Sequence, residues 1–114
     1  MGTLDQGQSI VEALTAKGVS ATTDPAGAVP PCVLVPPPVR RYDLGRGYTL
    51  VWTLYALAPG QGGQESWAGL DDLLDVVQDV VDISEARPTF YRLSPDAPEA
   101  IPAYAITTEE ASYA

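Results

Sequence analysis

Apolar residues recur at helical spacing in two segments of the chain. The clearer pattern covers residues 65–85, where apolar and acidic positions fall on opposite sides of a helix. The apolar side comprises Leu70, Leu73, Leu74, Val77, Val80 and Val81, and the acidic side comprises Asp71, Asp72, Asp75, Asp79 and Asp82. A shorter apolar stripe in residues 4–17 stops at Gly18, a residue type that commonly ends helices. Both segments are predicted to be amphipathic helices.

The longest alternation of apolar and polar residues predicts a strand at residues 48–58. One face of this strand carries Tyr48, Leu50, Trp52, Leu54 and Ala56, and the other carries Thr49, Val51, Thr53, Tyr55 and Leu57. The first face is predicted to belong to the core. The second face is too apolar for full solvation and too polar for a dry interior. We therefore expect it to be partly covered, either by another element of the chain or by another subunit.

Shorter β patterns lie at residues 19–23, 32–35, 89–93 and 100–107. Prolines bracket residues 32–35 on both sides, and because proline cannot donate a ladder hydrogen bond, we expect a short strand near a sheet edge. The triplet at 36–38 is interpreted as a stiff connection, although such a run is also typical of a polyproline recognition segment. Residues 39–47 contain three arginines and two glycines, which predicts an exposed loop or ribbon with a hairpin tip.

The order of these patterns and the length of the chain predict its fold class. A chain of 114 residues fits one domain with one core between a sheet and a helix layer. We expect an α/β (α+β) fold in which a small mixed or antiparallel β-sheet packs against two amphipathic helices and a β-hairpin or loop projects. The domain is predicted to span residues 1–114, with the polar residues 108–114 flexible.

The charge balance narrows the range of partners. Fifteen acidic residues oppose six basic ones, and the net charge is −9. Such a field repels phosphate backbones and anionic membrane surfaces, so we expect neither nucleic-acid nor membrane binding. No apolar run reaches the roughly 20 residues that cross a bilayer, and the N-terminal sequence does not resemble a signal peptide. We therefore expect a soluble protein that is made in the cytoplasm and has proteins as partners.

Few residues are suited to catalysis or metal binding. The chain has no histidine, which removes the commonest general base near neutral pH and the usual nucleophilic triads. The aspartates of residues 71–82 lie along a solvated helix side, whereas a cation needs converging ligands. The glycine-rich residues 60–63 lack the lysine of a Walker motif, and Cys32 lies among apolar residues as a small buried hydrophobe does. We predict no enzymatic activity and no catalytic, cofactor-binding or metal site.

Aromatic and basic residues are the candidates for a protein interface, because tyrosine, tryptophan and arginine are enriched where proteins bind one another. The candidates are Arg40, Arg41, Tyr42, Arg46, Val51, Tyr55, Leu57 and Trp67. Trp52 and Phe90, in contrast, are expected in the core. The three arginines are the only concentrated positive feature of the chain, and we expect them to dock on an acidic surface of a protein partner or of a neighbouring subunit. The alternative is that they are scattered, solvated residues.

Taken in order, these segments resemble the tail terminator proteins of long-tailed (siphovirus-type) bacteriophages. The resemblance covers nearly the whole chain and rests mainly on residues 30–35 (Pro-Pro-Cys-Val-Leu-Val), 48–58 and 69–77. It implies a structural virion protein that forms a homohexameric ring, caps the tail tube, ends tube polymerisation and presents a joining surface to the head connector. The implied partners are further copies of the chain, the tail tube protein and head–tail connector or neck proteins. The implied location is the head-proximal end of the virion tail.

Three other functions are compatible with the same residues. Another neck or connector completion protein would also be small, acidic and oligomeric. A host-directed inhibitor would use the aspartate-rich helix as a charge mimic and would remain monomeric. A small enzyme would be a monomer with a ligand-binding cleft. The oligomeric state therefore separates the phage assembly functions from the other two.

Overall fold

The structure is a computed structural model that describes residues 3–27, 29–42, 44, 47–58, 64–92 and 100–112. The elements in these residues are helix α1 (Thr3–Ala16), strand β1 (Ala21–Thr22), a 3₁₀ turn (Pro25–Gly27), strands β2 (Cys32–Leu34), β3 (Val39–Tyr42) and β4 (Tyr48–Leu57), helix α2 (Gln64–Val77), and strands β5 (Glu85–Tyr91) and β6 (Ile101–Ser112). The six strands form one mostly antiparallel sheet, and both helices pack on the same face of it. The predicted fold class is confirmed.

Strand β4 lies at the centre of the sheet. One edge of β4 pairs antiparallel with β6 along its whole length, from Tyr48 opposite Ser112 to Leu57 opposite Ala103. Its other edge is shared, because β2 pairs with the C-terminal end of β4 and β3 pairs with the N-terminal end. Beyond these strands, β5 pairs with β6, and the short β1 pairs parallel with β2. Strands β3 and β5 therefore lie on opposite lateral sides of β4.

The proline triplet interrupts what would otherwise be one long strand beside β4. Leu34 at the end of β2 faces Tyr55, and Val39 at the start of β3 faces Val51. The four residues 35–38 thus oppose the three residues 52–54, and the extra residue resembles a β-bulge. Prolines cannot donate to the ladder, which explains why pairing stops at β2 and resumes at β3. The triplet connects two strands of the sheet, in agreement with the interpretation as a stiff connection.

The helix-covered face of the sheet carries the main core. Alternate residues of β4 point towards the helices, and Leu50, Trp52 and Leu54 are at most 2% exposed. Leu14 of α1 and Leu70 of α2 are fully buried in the same cluster. The predicted apolar sides of both helices and the predicted core face of the long strand are confirmed. Trp52 is a core residue, as expected.

Helix α1 is closed by a Schellman motif in which Gly18 is the left-handed residue, as its sequence suggests. The Val19 N–H donates to the Leu14 carbonyl over 3.1 Å, and the Gly18 N–H donates to the Thr15 carbonyl over 3.0 Å. Gly18 has a φ of 86°, in the left-handed region that glycine adopts without steric cost. Val19 and Leu14 are both buried in the main core, so the turn that ends the helix also contributes to packing.

Helix α2 is shorter than predicted. It ends at Val77, and the following residues form tight turns in which the Val80 N–H donates to the Val77 carbonyl over 2.9 Å. β-Branched residues lose side-chain freedom on a helix, and Val76, Val77, Val80 and Val81 concentrate such residues at this point. The chain then enters β5 at Glu85, so the prediction of helix up to residue 85 is wrong.

Strand β6 is longer than predicted. Residues 108–112 are expected to be loose because they are polar, yet they pair with residues 48–52 of β4. Pairing uses backbone N–H and C=O groups, which every non-proline residue carries, so a polar segment can extend a ladder where its partner strand offers a free edge. Residues 108–112 thus belong to β6, and the flexibility expected at this end of the chain stays a prediction. Residues 113 and 114 lie outside the described residues.

Candidate interaction surfaces

The sheet face opposite the helices, hereafter the open face, carries the odd-numbered residues of β4. Val51, Thr53 and Tyr55 are all partly exposed on this face. Their cross-strand neighbours Val39 and Ala105 extend the same surface, and Val39 is 63% exposed. Neither described helix covers these residues. The open face thus mixes apolar and polar residues that are partly exposed, as the alternation predicts, and it includes the predicted interface residues Val51 and Tyr55.

One end of the open face is buried within the chain. Leu57 is 0% exposed and lies between its cross-strand neighbours Cys32 of β2 and Ala103 of β6. Tyr55 and Tyr91 pack against this cluster, and their ring centroids are 4.8 Å apart. Leu57 is therefore a core residue, and its prediction as an interface residue is corrected. Its burial depends on strands that are distant in sequence, which the pattern of β4 alone does not reveal.

The β3–β4 hairpin, hereafter the ribbon, lies at the other end of the sheet, and all four residues of β3 are exposed. The guanidinium carbon of Arg40 is 4.9 Å from the centroid of the Tyr48 ring, and the Tyr42 and Tyr48 rings are 5.7 Å apart. A hydrogen bond to Tyr42 and the field of Tyr48 raise the pKa of Arg40. Arg41 pairs with Thr49 and so lies on the opposite side of the ribbon. The structure therefore brings together Arg40 and Tyr42, but not Arg41.

The tip of the ribbon is only partly within the described residues. Gly47 has a φ of 103°, which confirms that the turn needs a glycine there. Leu44 has a φ of 36° and is fully exposed. Arg46, a predicted interface residue, lies outside the described residues. Leu44 is not among the sequence candidates, because a single leucine beside glycines carries no periodic signal.

Trp67 lies on α2, on the helix side of the sheet rather than on the open face. Its ring meets those of Phe90 and Tyr104 edge-on, with centroids 6.0 Å apart in both pairs. Phe90 is 64% exposed, so its prediction as a core residue is wrong. Its apolar side chain predicts burial, whereas its exposure follows from the position of β5 at the side of the sheet. The aromatic pair Trp67 and Phe90 thus forms a partly exposed patch away from the ribbon.

The outer side of α2 and the turn after it form an acidic face. As predicted, its aspartates are all exposed: Asp71, Asp72, Asp75, Asp79 and Asp82. Residues 64–82 contain no lysine or arginine. Helix α2 contacts β4 and β6, whereas β3 lies beyond the other edge of β4. The acidic face and the ribbon therefore lie in different lateral halves of the domain.

The described residues contain no group of three or more His, Cys, Asp or Glu side chains placed to bind a metal ion. Burial raises the pKa of the Cys32 thiol, and a hydrogen bond with the Val29 backbone opposes this effect. A thiol in this state is a poor nucleophile, because the thiolate is the reactive form. The surfaces built from the described residues are suited to binding by shape, apolar contact and charge.

No helix among the described residues has the length and apolar content of a membrane span. Comparison of the chain with protein-family models, with curated proteins and with solved structures found no match. A functional proposal therefore depends on the sequence and on the surfaces described above.

Proposed function

We propose that this chain is a tail terminator subunit of a siphovirus-type bacteriophage. In this proposal six copies form a ring that caps the tail tube, ends tube polymerisation and joins the tube to the head connector. The observation that carries the proposal is the open face together with the ribbon that continues it. They form a half-apolar surface on a domain whose other sheet face is already filled by two helices.

The open face favours a protein partner over solvent. An antiparallel sheet with one solvated face normally places polar residues on that face. Here Val39 and Val51 are direct cross-strand neighbours, and Tyr55 lies further along the same face. Contiguous exposed apolar surface of this kind is characteristic of interaction sites. A second copy of the chain is a partner that is present wherever the protein is made.

The differing sides of the sheet favour a ring over a twofold dimer. The ribbon lies on one lateral side of β4, and the edge strand β5 with Phe90 lies on the other. A contact between two different surfaces is heterologous, and it produces a ring when the rotation between neighbours closes. The ring size of six and the place at the end of the tail tube come from the resemblance to tail terminators.

Native mass spectrometry and negative-stain electron microscopy of the purified protein test the ring. We expect a closed assembly of six copies. Adding this assembly to polymerising tail tube protein should shorten the tubes and leave a ring at one end of each. Bovine serum albumin at the same concentration serves as the control for crowding and should leave the length distribution unchanged.

The other outcomes distinguish the alternative functions. A protein that stays monomeric up to high concentration contradicts the proposal and favours the host-directed inhibitor or the enzyme. A ring that binds the connector side of a phage neck but leaves tube length unchanged contradicts the terminator role and favours another neck protein.

A further inference from the structure

The ribbon and the acidic face carry opposite charges on the same domain. Arg40 and Arg41 are both exposed on β3, within a chain that has only six basic residues. The acidic face presents five aspartates without an arginine or lysine in residues 64–82. Their like-charge repulsion would be relieved by a basic partner. The ribbon presents two such charges, Arg40 on one of its sides and Arg41 on the other.

The position of the two surfaces prevents their contact within one copy. Strand β3 of the ribbon pairs with one edge of β4. Helix α2 packs over β4 and over β6, which lies at the opposite edge of β4. The aspartates of α2 lie opposite the residues that it buries, such as Leu70 and Val77, so they point away from the sheet. Each copy therefore offers a basic surface on one side and an acidic surface on the other.

The ribbon holds at least one of its charges in a defined position. Arg40 lies over the ring of Tyr48 at 4.9 Å, and the exposed Tyr42 lies beside the same ring. Stacking restricts the long arginine side chain before any partner binds, which lowers the entropic cost of binding. The planar guanidinium is also the group that forks onto carboxylates. An arginine held in this way is suited to a surface that carries aspartates.

We infer that the ribbon of one copy docks on the acidic face of the next copy around the ring. This inference rests on the proposed ring and names the contact that would build it. Each copy donates its ribbon to one neighbour and receives the ribbon of the other, which gives a head-to-tail contact in which every ribbon and every acidic face is occupied once the ring closes. The contact is electrostatic, so the assembly should dissociate more readily at high ionic strength.

Charge reversal on each surface tests this contact. An acid-ribbon variant carries Arg40→Glu with Arg41→Glu, and a basic-helix variant carries Asp72→Lys with Asp75→Lys. The acid-ribbon variant opposes its glutamates to the five aspartates, and the basic-helix variant opposes two lysines of the helix to the arginines of the ribbon, so the self-association of each should weaken by at least about tenfold. The four substitutions combined place the glutamates of the ribbon opposite the introduced lysines and should recover the ring. The double variant Lys17→Glu with Arg87→Glu is the matched control, because it makes the same change of net charge as the acid-ribbon variant at exposed sites elsewhere.

Mixing the two reversed variants gives a second, independent readout. The glutamates of one variant then face the lysines of the other, and the remaining arginines face the remaining aspartates. A one-to-one mixture should therefore form rings in which the two variants alternate, and native mass spectrometry would show three copies of each. Circular dichroism confirms that each variant is folded. If charge reversal prevents folding, neutral variants take its place. These are Arg40→Gln with Arg41→Gln for the ribbon and Asp72→Asn with Asp75→Asn for the acidic face. Each neutral pair should still weaken the ring.

The outcomes separate this inference from the proposed function. Rings formed by the parent, lost in each reversed variant and recovered in the combined variant and in the mixture support the contact. Parent rings that persist in both reversed variants, or that are lost without recovery in the combined variant, overturn the contact and leave the ring function standing. A parent protein that forms no ring overturns the proposed function and this contact together.

Discussion

The two faces of β4 differ although they belong to one strand with one alternation. Towards the helices, Leu50, Trp52 and Leu54 are at most 2% exposed, whereas Val51 and Tyr55 on the open face are only partly buried. Alternation therefore identifies which residues share a face. Whether that face is buried depends on which other elements of the chain pack on it. The difference separates residues that stabilise the fold from residues that are available to a partner.

Replacing Val77 by aspartate should have the largest effect. Val77 is 0% exposed in the main core, and a charge buried there without a partner costs several kcal/mol, roughly 3–5. That cost approaches the whole stability of many domains, about 5–15 kcal/mol, so Val77→Asp should unfold the subunit. Circular dichroism and the thermal midpoint are the measurements. Gln78→Asp, at the exposed neighbouring position, is the control, and an equal loss in both variants would contradict the assigned core face.

Truncation of one residue on each face of β4 compares the two faces directly. Leu54→Ala should lower the free energy of unfolding by about 2–5 kcal/mol, because it leaves a cavity in the main core. Val51→Ala removes fewer atoms from a half-exposed site and should lower it by about 1 kcal/mol. Chemical denaturation of the two variants measures both values. Equal losses would show that the open face is covered as fully as the helix side.

Replacing Tyr55 by aspartate should separate assembly from folding. Tyr55 is half buried and its ring packs at a tilt against that of Tyr91, with centroids 4.8 Å apart, so its loss should cost the fold about 1 kcal/mol. If the open face is a subunit surface, the same change should weaken self-association by at least about tenfold. Light scattering at several protein concentrations measures the assembly, and Tyr55→Phe is the matched control that keeps the ring stack. A folded Tyr55→Asp variant with the parental oligomer distribution would exclude Tyr55 from the interface.

Two glycines outside the strands should give small effects, with opposite signs. Gly18 has a φ of 86°, so Gly18→Ala should destabilise the fold by about 1–2 kcal/mol. Gly69 lies within α2, and a Cβ there would meet no atom within 4 Å, so Gly69→Ala should stabilise the fold by about 0.5–1 kcal/mol. Thermal midpoints measure both shifts, and the oligomeric state should be the same in both variants. A stabilising Gly18→Ala would contradict the helix end described above.

Much of the fold could be predicted because its signals are local. The opposed apolar and acidic sides of α2 follow from a period of 3.6 residues, and the faces of β4 follow from a period of two. The end of α1 at Gly18 follows from the steric freedom of glycine. The lengths of α2 and β6 were less predictable, because a helix end and a paired strand depend on neighbours as well as on propensity.

The candidate surfaces were predictable in part. Val51 and Tyr55 lie on the open face as expected, and Arg40 and Tyr42 lie on an exposed ribbon. The alternation of one strand predicts Leu57 at the interface, but its neighbours on β2 and β6 bury it. The apolar side chain of Phe90 predicts a place in the core, but β5 lies at the side of the sheet. Both errors concern strand order, which no local pattern contains.

The sequence by itself determined the class of elements, the side that each helix buries, the excess of negative charge and the lack of histidine chemistry. These properties depend on residues that are close together in the chain or on composition alone. The tertiary structure decided that β2 and β3 share one edge of β4 across the proline triplet, that Leu57 is interior, and that Arg40 lies over Tyr48. Each of these facts depends on which strands pair and in which register. Pairing brings together residues that are distant in sequence, and their combined cover determines which side chains remain on the surface.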